Sequence, residues 1–118
     1  MYNAIAHALA VVGLNTTVFV EAAILDSPCV SIRFKSGDAP AITSSFVHFT
    51  YLLDGGFLHV VEDERTAAAV IRRIAAEGDP LAGERRAFVR RFVRPCGLER
   101  AAADVAAESL IATARGRN

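Results

Sequence analysis

The sequence predicts an α/β fold: a partial Rossmann-like, three-layer module with a short parallel sheet of about three strands and C-terminal helices. Three observations predict it. Short apolar runs at 8–12 and 29–33 bracket a longer one at 16–25, which is the strand, helix, strand order of a βαβ unit. A third run, 57–61, follows a Gly-Gly pair. From residue 64 onward apolar positions recur at helical spacing, apart from short connections, and strand patterns stop.

Each element has its own reason. Residues 2–7 (YNAIAH) read as the last turns of a helix. The continuous apolar run 8–12 (ALAVV), ended by Gly13, suits a parallel strand buried on both faces. TTVFVEAAIL, at 16–25, is long enough for about three helical turns. Asp26-Ser27-Pro28 ends it, because proline disfavours helix at the residue before it. CVSIR, at 29–33, alternates and is β-branched, so a second strand follows, reached by a right-handed crossover. The polar stretch from Lys35 to Ser45 is a loop after a strand's carboxyl end, where open α/β sheets take ligands. FVHFTYLL, 46–53, predicts a short helix closed by Gly55-Gly56, and FLHVV, 57–61, a third strand. Asp63 caps a helix over 64–77 striped by Ala67, Val70, Ile71 and Ile74. Pro80 opens another, to residue 93, with Leu81, Phe88, Val89 and Phe92 inside. Pro95 and Gly97 break it, and an Ala-rich helix spans 98–114.

The 118 residues amount to a single domain, 1–118, and 53% hydrophobic content supplies a core without cross-links. Thirteen basic residues balance thirteen acidic ones, which argues against a nucleic-acid surface. Cys29 and Cys96 lie far apart and in no metal-binding spacing. A disulfide is open to them, but two buried or idle thiols in a reducing cytosol fit better, with Cys29 in the core. Residues 4–25 are mostly apolar, yet His7, Asn15, Thr16, Thr17 and Glu21 interrupt them, so no transmembrane segment is expected. No Lys or Arg precedes Arg33, which is unlike a signal peptide. The expected location is cytoplasmic, with any membrane association made through a partner.

The informative segment is VVGLNTTVFVEAA, 11–23. A buried strand ends, Gly13 permits a tight turn, and Asn15 or Thr16 caps a helix. The helix start then offers amide N–H groups and the positive end of a dipole, which suit a phosphate or diphosphate. Thr16 and Thr17 add hydroxyls. From Val18 to Leu25 every residue is apolar except Glu21, which shares a face with Thr17. A carboxylate on so apolar a helix needs partners. It lies ~9 Å along the helix axis from Asn15, so a diphosphate at the tip would bring ribose hydroxyls beside it.

This stretch resembles the donor-site motif of GT-B-fold glycosyltransferases and, more distantly, of UDP-GlcNAc 2-epimerases. More narrowly, the chain is similar to the C-terminal, donor-binding part of uncharacterised bacterial glycosyltransferases from surface-polysaccharide gene sets. The matching segments are Tyr2 to His7, VVGLNT at 11–16, EAAI at 21–24, HFTYLL at 48–53, GGFLHV at 55–60 and FVRPCGL at 92–98. Residues 35–45 and the pair Phe46-Val47 depart from the pattern. The resemblance implies half of a GT-B fold in which Gly13, Asn15, Thr16 and Thr17 hold the diphosphate of a nucleotide-sugar. Glu21 binds its ribose, and His48 faces the phosphates or the sugar as the one catalytic candidate. It also implies no cofactor and no metal ion. The early strands and the acceptor domain of such an enzyme are missing, so no turnover is expected from the chain alone. Its partner is expected to be a separate acceptor-domain chain, or a second copy meeting an exposed sheet edge.

Blander readings accompany these. A capped helix with a half-buried glutamate is common in ordinary α/β proteins, and the chain then serves as a non-catalytic nucleotide- or protein-binding module, or as a truncated remnant. His59 reads as structural or exposed, His7 as the end of the first helix, and Glu62, Asp63 and Glu64 as a helix start. Arg85, Arg86, Arg90, Arg91 and Arg94 read as a solvated face, with Arg94 kept as an outside anion-binding candidate. Ser44 and Ser45 lack a His-Asp framework for hydrolysis.

Overall fold

A computed structural model of the chain describes residues 1–14, 16–34 and 47–116, and at 47 and 48 the backbone alone. The described part is α/β. In order it contains α1 (Tyr2–Ala6), β1 (Val11–Gly13), α2 (Val18–Ile24), β2 (Cys29–Ile32), α3 (Val47–Asp54), β3 (Leu58–Val61), α4 (Glu64–Glu77), α5 (Ala82–Phe88) with a π-helical turn at Val89–Val93, and α6 (Ala102–Arg115). The three strands form one parallel sheet in the order β1-β2-β3, with Val11 opposite Cys29 and Cys29 opposite Leu58. Among the described residues no helix is long and apolar enough to cross a membrane.

The sheet separates two cores. β2 is central and buried along its whole length. On one face Cys29 and Leu58 pack with Phe19, Ala22 and Ala23 of α2, Phe49 and Leu52 of α3, and Phe57 and Phe88. On the other, Val30, Ile32 and Val61 pack against Ala67 of α4, with Val70 and Ile71 alongside. α4 is the striped helix its sequence predicts, and the Asp63 carboxylate caps it by accepting from the Thr66 N–H at 2.7 Å. That bond is also the main reason the Asp63 carboxyl sits below its usual range.

Glycines close α3 for two different reasons. Gly56 adopts a φ of 69°, the left-handed region that side chains rarely enter. At Gly55 a Cβ would sit 2.7 Å from Phe88 Cδ2, so bare backbone is what lets α5 approach. The rings of Phe57 and Phe88 are 4.5 Å apart as a result.

Four expectations are corrected. β1 is not buried on both faces: it lies at the edge of the sheet and Val12 is 46% exposed. Phe92 is 49% exposed rather than inside. The helix widens to π winding at Val89–Val93, with the Arg94 N–H reaching Val89 O at 2.8 Å, and the added residue rotates Phe92 outward onto Phe88 and Tyr51. Arg85 is not on a solvated face but is 2% exposed, because it pairs with aspartates from two other segments. The last helix begins at Ala102 rather than 98, and none of its residues is buried. It stands off the body, which contributes to a radius of gyration of 17.1 Å against about 13 Å for a compact chain of this length. Both cysteines are free, Cys29 buried and Cys96 exposed. Burial pushes the Cys29 thiol up to about 12, so it is idle.

Candidate functional site

The turn from β1 into α2 is built by close contact. A Cβ at Gly13 would lie 3.0 Å from Thr16 Cγ2 and 3.4 Å from Phe19 Cζ, so glycine is what lets the chain fold back so tightly. The turn is then pinned from the next strand, where the buried Ser31 hydroxyl donates to the Leu14 carbonyl at 2.7 Å. These contacts fix the carboxyl end of β1 beside that of β2.

The helix tip offers fewer amides than its sequence suggests. Thr16 Oγ1 accepts from the Val18 N–H at 3.2 Å, Thr16 O from Phe19 at 3.2 Å, and Thr17 O from Val20 at 2.9 Å. Thr16 thus serves α2 from the residue before the N-cap rather than as the cap itself, and the first three helical amides are already occupied. Thr17 stands at the N-cap position and makes no side-chain cap bond, which leaves its hydroxyl exposed at the tip. Among the described residues the Thr16 and Thr17 amides make no backbone hydrogen bond. Asn15 lies outside the described residues.

Glu21 is the unusual side chain. It lies one turn after Thr17, on the side of α2 turned away from Phe19, Ala22 and Ala23. Its Oε2 is nevertheless enclosed, with no hydrogen-bond partner among the described residues. Arg33 is in the same condition: its Nε is enclosed and has no partner among the described residues, and its backbone N–H continues the parallel ladder by donating to Val61 O at 2.7 Å. Strand alternation gives Arg33 the same side of the sheet as Cys29 and Ser31, the side that α2 covers. Arg33 is the residue that sequence reasoning missed. Its signal was available, since it ends the alternating run CVSIR at a strand's carboxyl end.

The remaining candidates separate. His48 falls in the first turn of α3, and its side chain, like Ser44, Ser45 and the loop 35–45, lies outside what is described. His7 is exposed at the end of α1. Arg94 donates to the carbonyls of Leu98 (2.7 Å) and Arg100, so it folds the connection to α6.

At the far end of α2 every buried charge is matched. Arg85 donates through Nε to Asp26 Oδ1 at 2.9 Å, through Nη2 to the Asp26 carbonyl at 3.0 Å, and through Nη1 to Asp79. Asp79 also accepts from the Leu81 N–H at 3.0 Å and pairs with His59 Nε2 at 2.7 Å. Burial works against ionisation of Asp79, but the bonds from His59, Leu81 and Arg85 outweigh it and hold the carboxyl below its usual range. His59 is therefore structural, as its sequence position suggests.

Among the described residues no group of three or more His, Cys, Asp or Glu side chains is placed to hold a metal ion. Comparison with family models, with curated proteins and with solved structures finds no match for this chain.

Proposed function

We propose that the chain is the nucleotide-sugar-binding half of a GT-B-type glycosyltransferase, working with a separate chain that carries the acceptor site. The observation that carries this reading is the enclosed Oε2 of Glu21, which has no partner among the described residues. Leaving an acceptor buried and unpaired costs about 1–3 kcal/mol, and a ribose hydroxyl donating to it would offset that cost. The surroundings suit the rest of such a ligand. The Thr16 and Thr17 amides and the Thr17 hydroxyl lie one turn away for the diphosphate, and Arg33 brings a positive charge to the neighbouring strand end.

In this reading the chain lowers the barrier to transfer by stabilising the departing nucleoside diphosphate, which is electrostatic work that needs no metal ion. His48 is the candidate for contact with the sugar. Positioning the acceptor falls to the partner. β1 is an edge strand with Leu9, Val12 and Leu14 exposed around it, which suits pairing with another chain. A second reading, a non-catalytic binding module, is favoured by the three occupied amides of the α2 tip, which leave less for an anion than a dedicated phosphate site offers.

Calorimetric titration with UDP, GDP and CDP tests the proposal. One diphosphate should bind, and Glu21→Ala should weaken it at least about tenfold. Equal affinity in the variant removes Glu21 from the site, and no binding of any of the three sinks the reading. Sugar transfer by the isolated chain would overturn the need for a partner.

A further inference from the structure

The seam between α2 and α5 opens into a groove of about 270 Å³ at the end of α2 remote from Thr16. Its walls are apolar, formed by Ile24, Val89, Val93 and Leu98, while Arg86, Arg90 and Arg94 stand around it. The π turn helps build it: Val89, Arg90 and Val93 lie within the turn and Arg94 directly follows it, all lining the groove. Such turns recur at functional sites.

The charges around the groove are not balanced locally. Among the described residues Asp26 is the one acidic residue lining it, against three arginines. It already accepts from Arg85 and lies 3.7 Å from Arg86 Nε. Arg94 is held in place by the carbonyls of Leu98 and Arg100, which also sets Leu98 at the groove wall. Arg90 makes no ion pair among the described residues. Ile24 is 53% exposed beside these cations. The volume is near the lower limit for small-molecule sites, ~300 Å³. A short alkyl chain fits it, whereas an α-helix of ~10 Å diameter does not.

We infer that this groove binds a single-chain anionic amphiphile, its alkyl chain along Ile24, Val89 and Val93 and its phosphate or carboxylate head on Arg90 and Arg94. Guanidinium groups suit that head because their paired donors match its oxygens. The site is separate from Glu21 and stands whether or not a nucleotide binds there.

Octyl phosphate, kept below its aggregation threshold, is the probe, read by NMR of the Ile24, Val89 and Val93 methyl groups. It should shift these resonances and bind at least about tenfold more tightly than octyl glucoside, which keeps the chain, or inorganic phosphate, which keeps the charge. Arg90→Glu, at an exposed position, should abolish the tighter binding with the circular dichroism spectrum unchanged. Val93→Trp should block the groove and leave the charge intact. Equal binding of octyl glucoside, retention of octyl phosphate by Arg90→Glu, or association only with phosphatidylglycerol vesicles would overturn the inference.

Discussion

The two ends of α2 use polar groups in opposite ways. At its carboxyl end the chain leaves the helix through a Schellman turn: Ser27 N–H bonds to Ala22 O at 2.9 Å and Asp26 N–H to Ala23 O at 3.1 Å. Asp26 takes the left-handed position, φ 56°, where glycine is usual, and Arg85 grips both its carbonyl and its carboxylate. Arg85 in turn meets Asp79, and Asp79 meets His59. At the amino end a glycine and the Thr16 hydroxyl bring the backbone round tightly, and then Glu21 and Arg33 are left with enclosed atoms that no described residue satisfies. The first end is a corner that the protein closes for itself. The second leaves two enclosed polar atoms without a partner among the described residues, which is the difference on which the proposed binding role rests.

Substitutions at the two ends should therefore shift stability in opposite directions. The largest effect belongs to Arg85→Ala. It leaves Asp79 buried without its cation and frees the strained Asp26 turn, and breaking a buried pair in this way costs about 3–5 kcal/mol. That is a large share of what a small domain has, so urea unfolding should show a midpoint shifted far down or lost. A change below about 1 kcal/mol would mean that the corner is held by packing alone.

Glu21→Gln should act the other way. It keeps the shape of the side chain and replaces the carboxylate by a neutral amide, which costs less to enclose than an anion, so unfolding should show a gain of up to about 1 kcal/mol. The same variant should lose diphosphate affinity, the pairing of effects expected where function is kept at the expense of stability. Destabilisation instead would mean that Glu21 serves the fold.

Much of this contrast was legible before the structure, but not evenly. The order of strands and helices follows from apolar runs punctuated by Gly13, Pro28, Gly55-Gly56 and Asp63, all local signals. The β1–α2 turn was legible for the same reason. Arg85 was not, because its partners lie 59 and 6 residues away and only tertiary packing brings Asp26 and Asp79 to one point. A cation three residues before Phe88, on the buried stripe, was the available hint. The π turn was also hidden. Residues 80–93 carry a regular α-helical pattern, and the widening begins at Val89, directly after Phe88 packs on Phe57 beside Gly55, a contact made only in the tertiary fold. The Arg86, Arg90 and Arg94 groove follows from that widening, so it could not be seen earlier either.

The smallest effect, and the most specific to the joint, is in acid. Because the Asp79 carboxyl is held below its ordinary value in the folded chain, the unfolded chain takes up that proton first as pH falls. Its contribution to stability is then complete above the unfolded value, about 3.9, and drains away as pH drops through the folded one. Asp79→Asn cannot titrate, so its stability should fall less steeply than that of the wild type below about pH 4. The comparison of the two slopes isolates Asp79 from the other carboxylates, whose acid response both chains share. Parallel slopes would mean that the bonds from His59, Leu81 and Arg85 merely offset burial, leaving a corner that is satisfied but no more strongly held than the open end of α2.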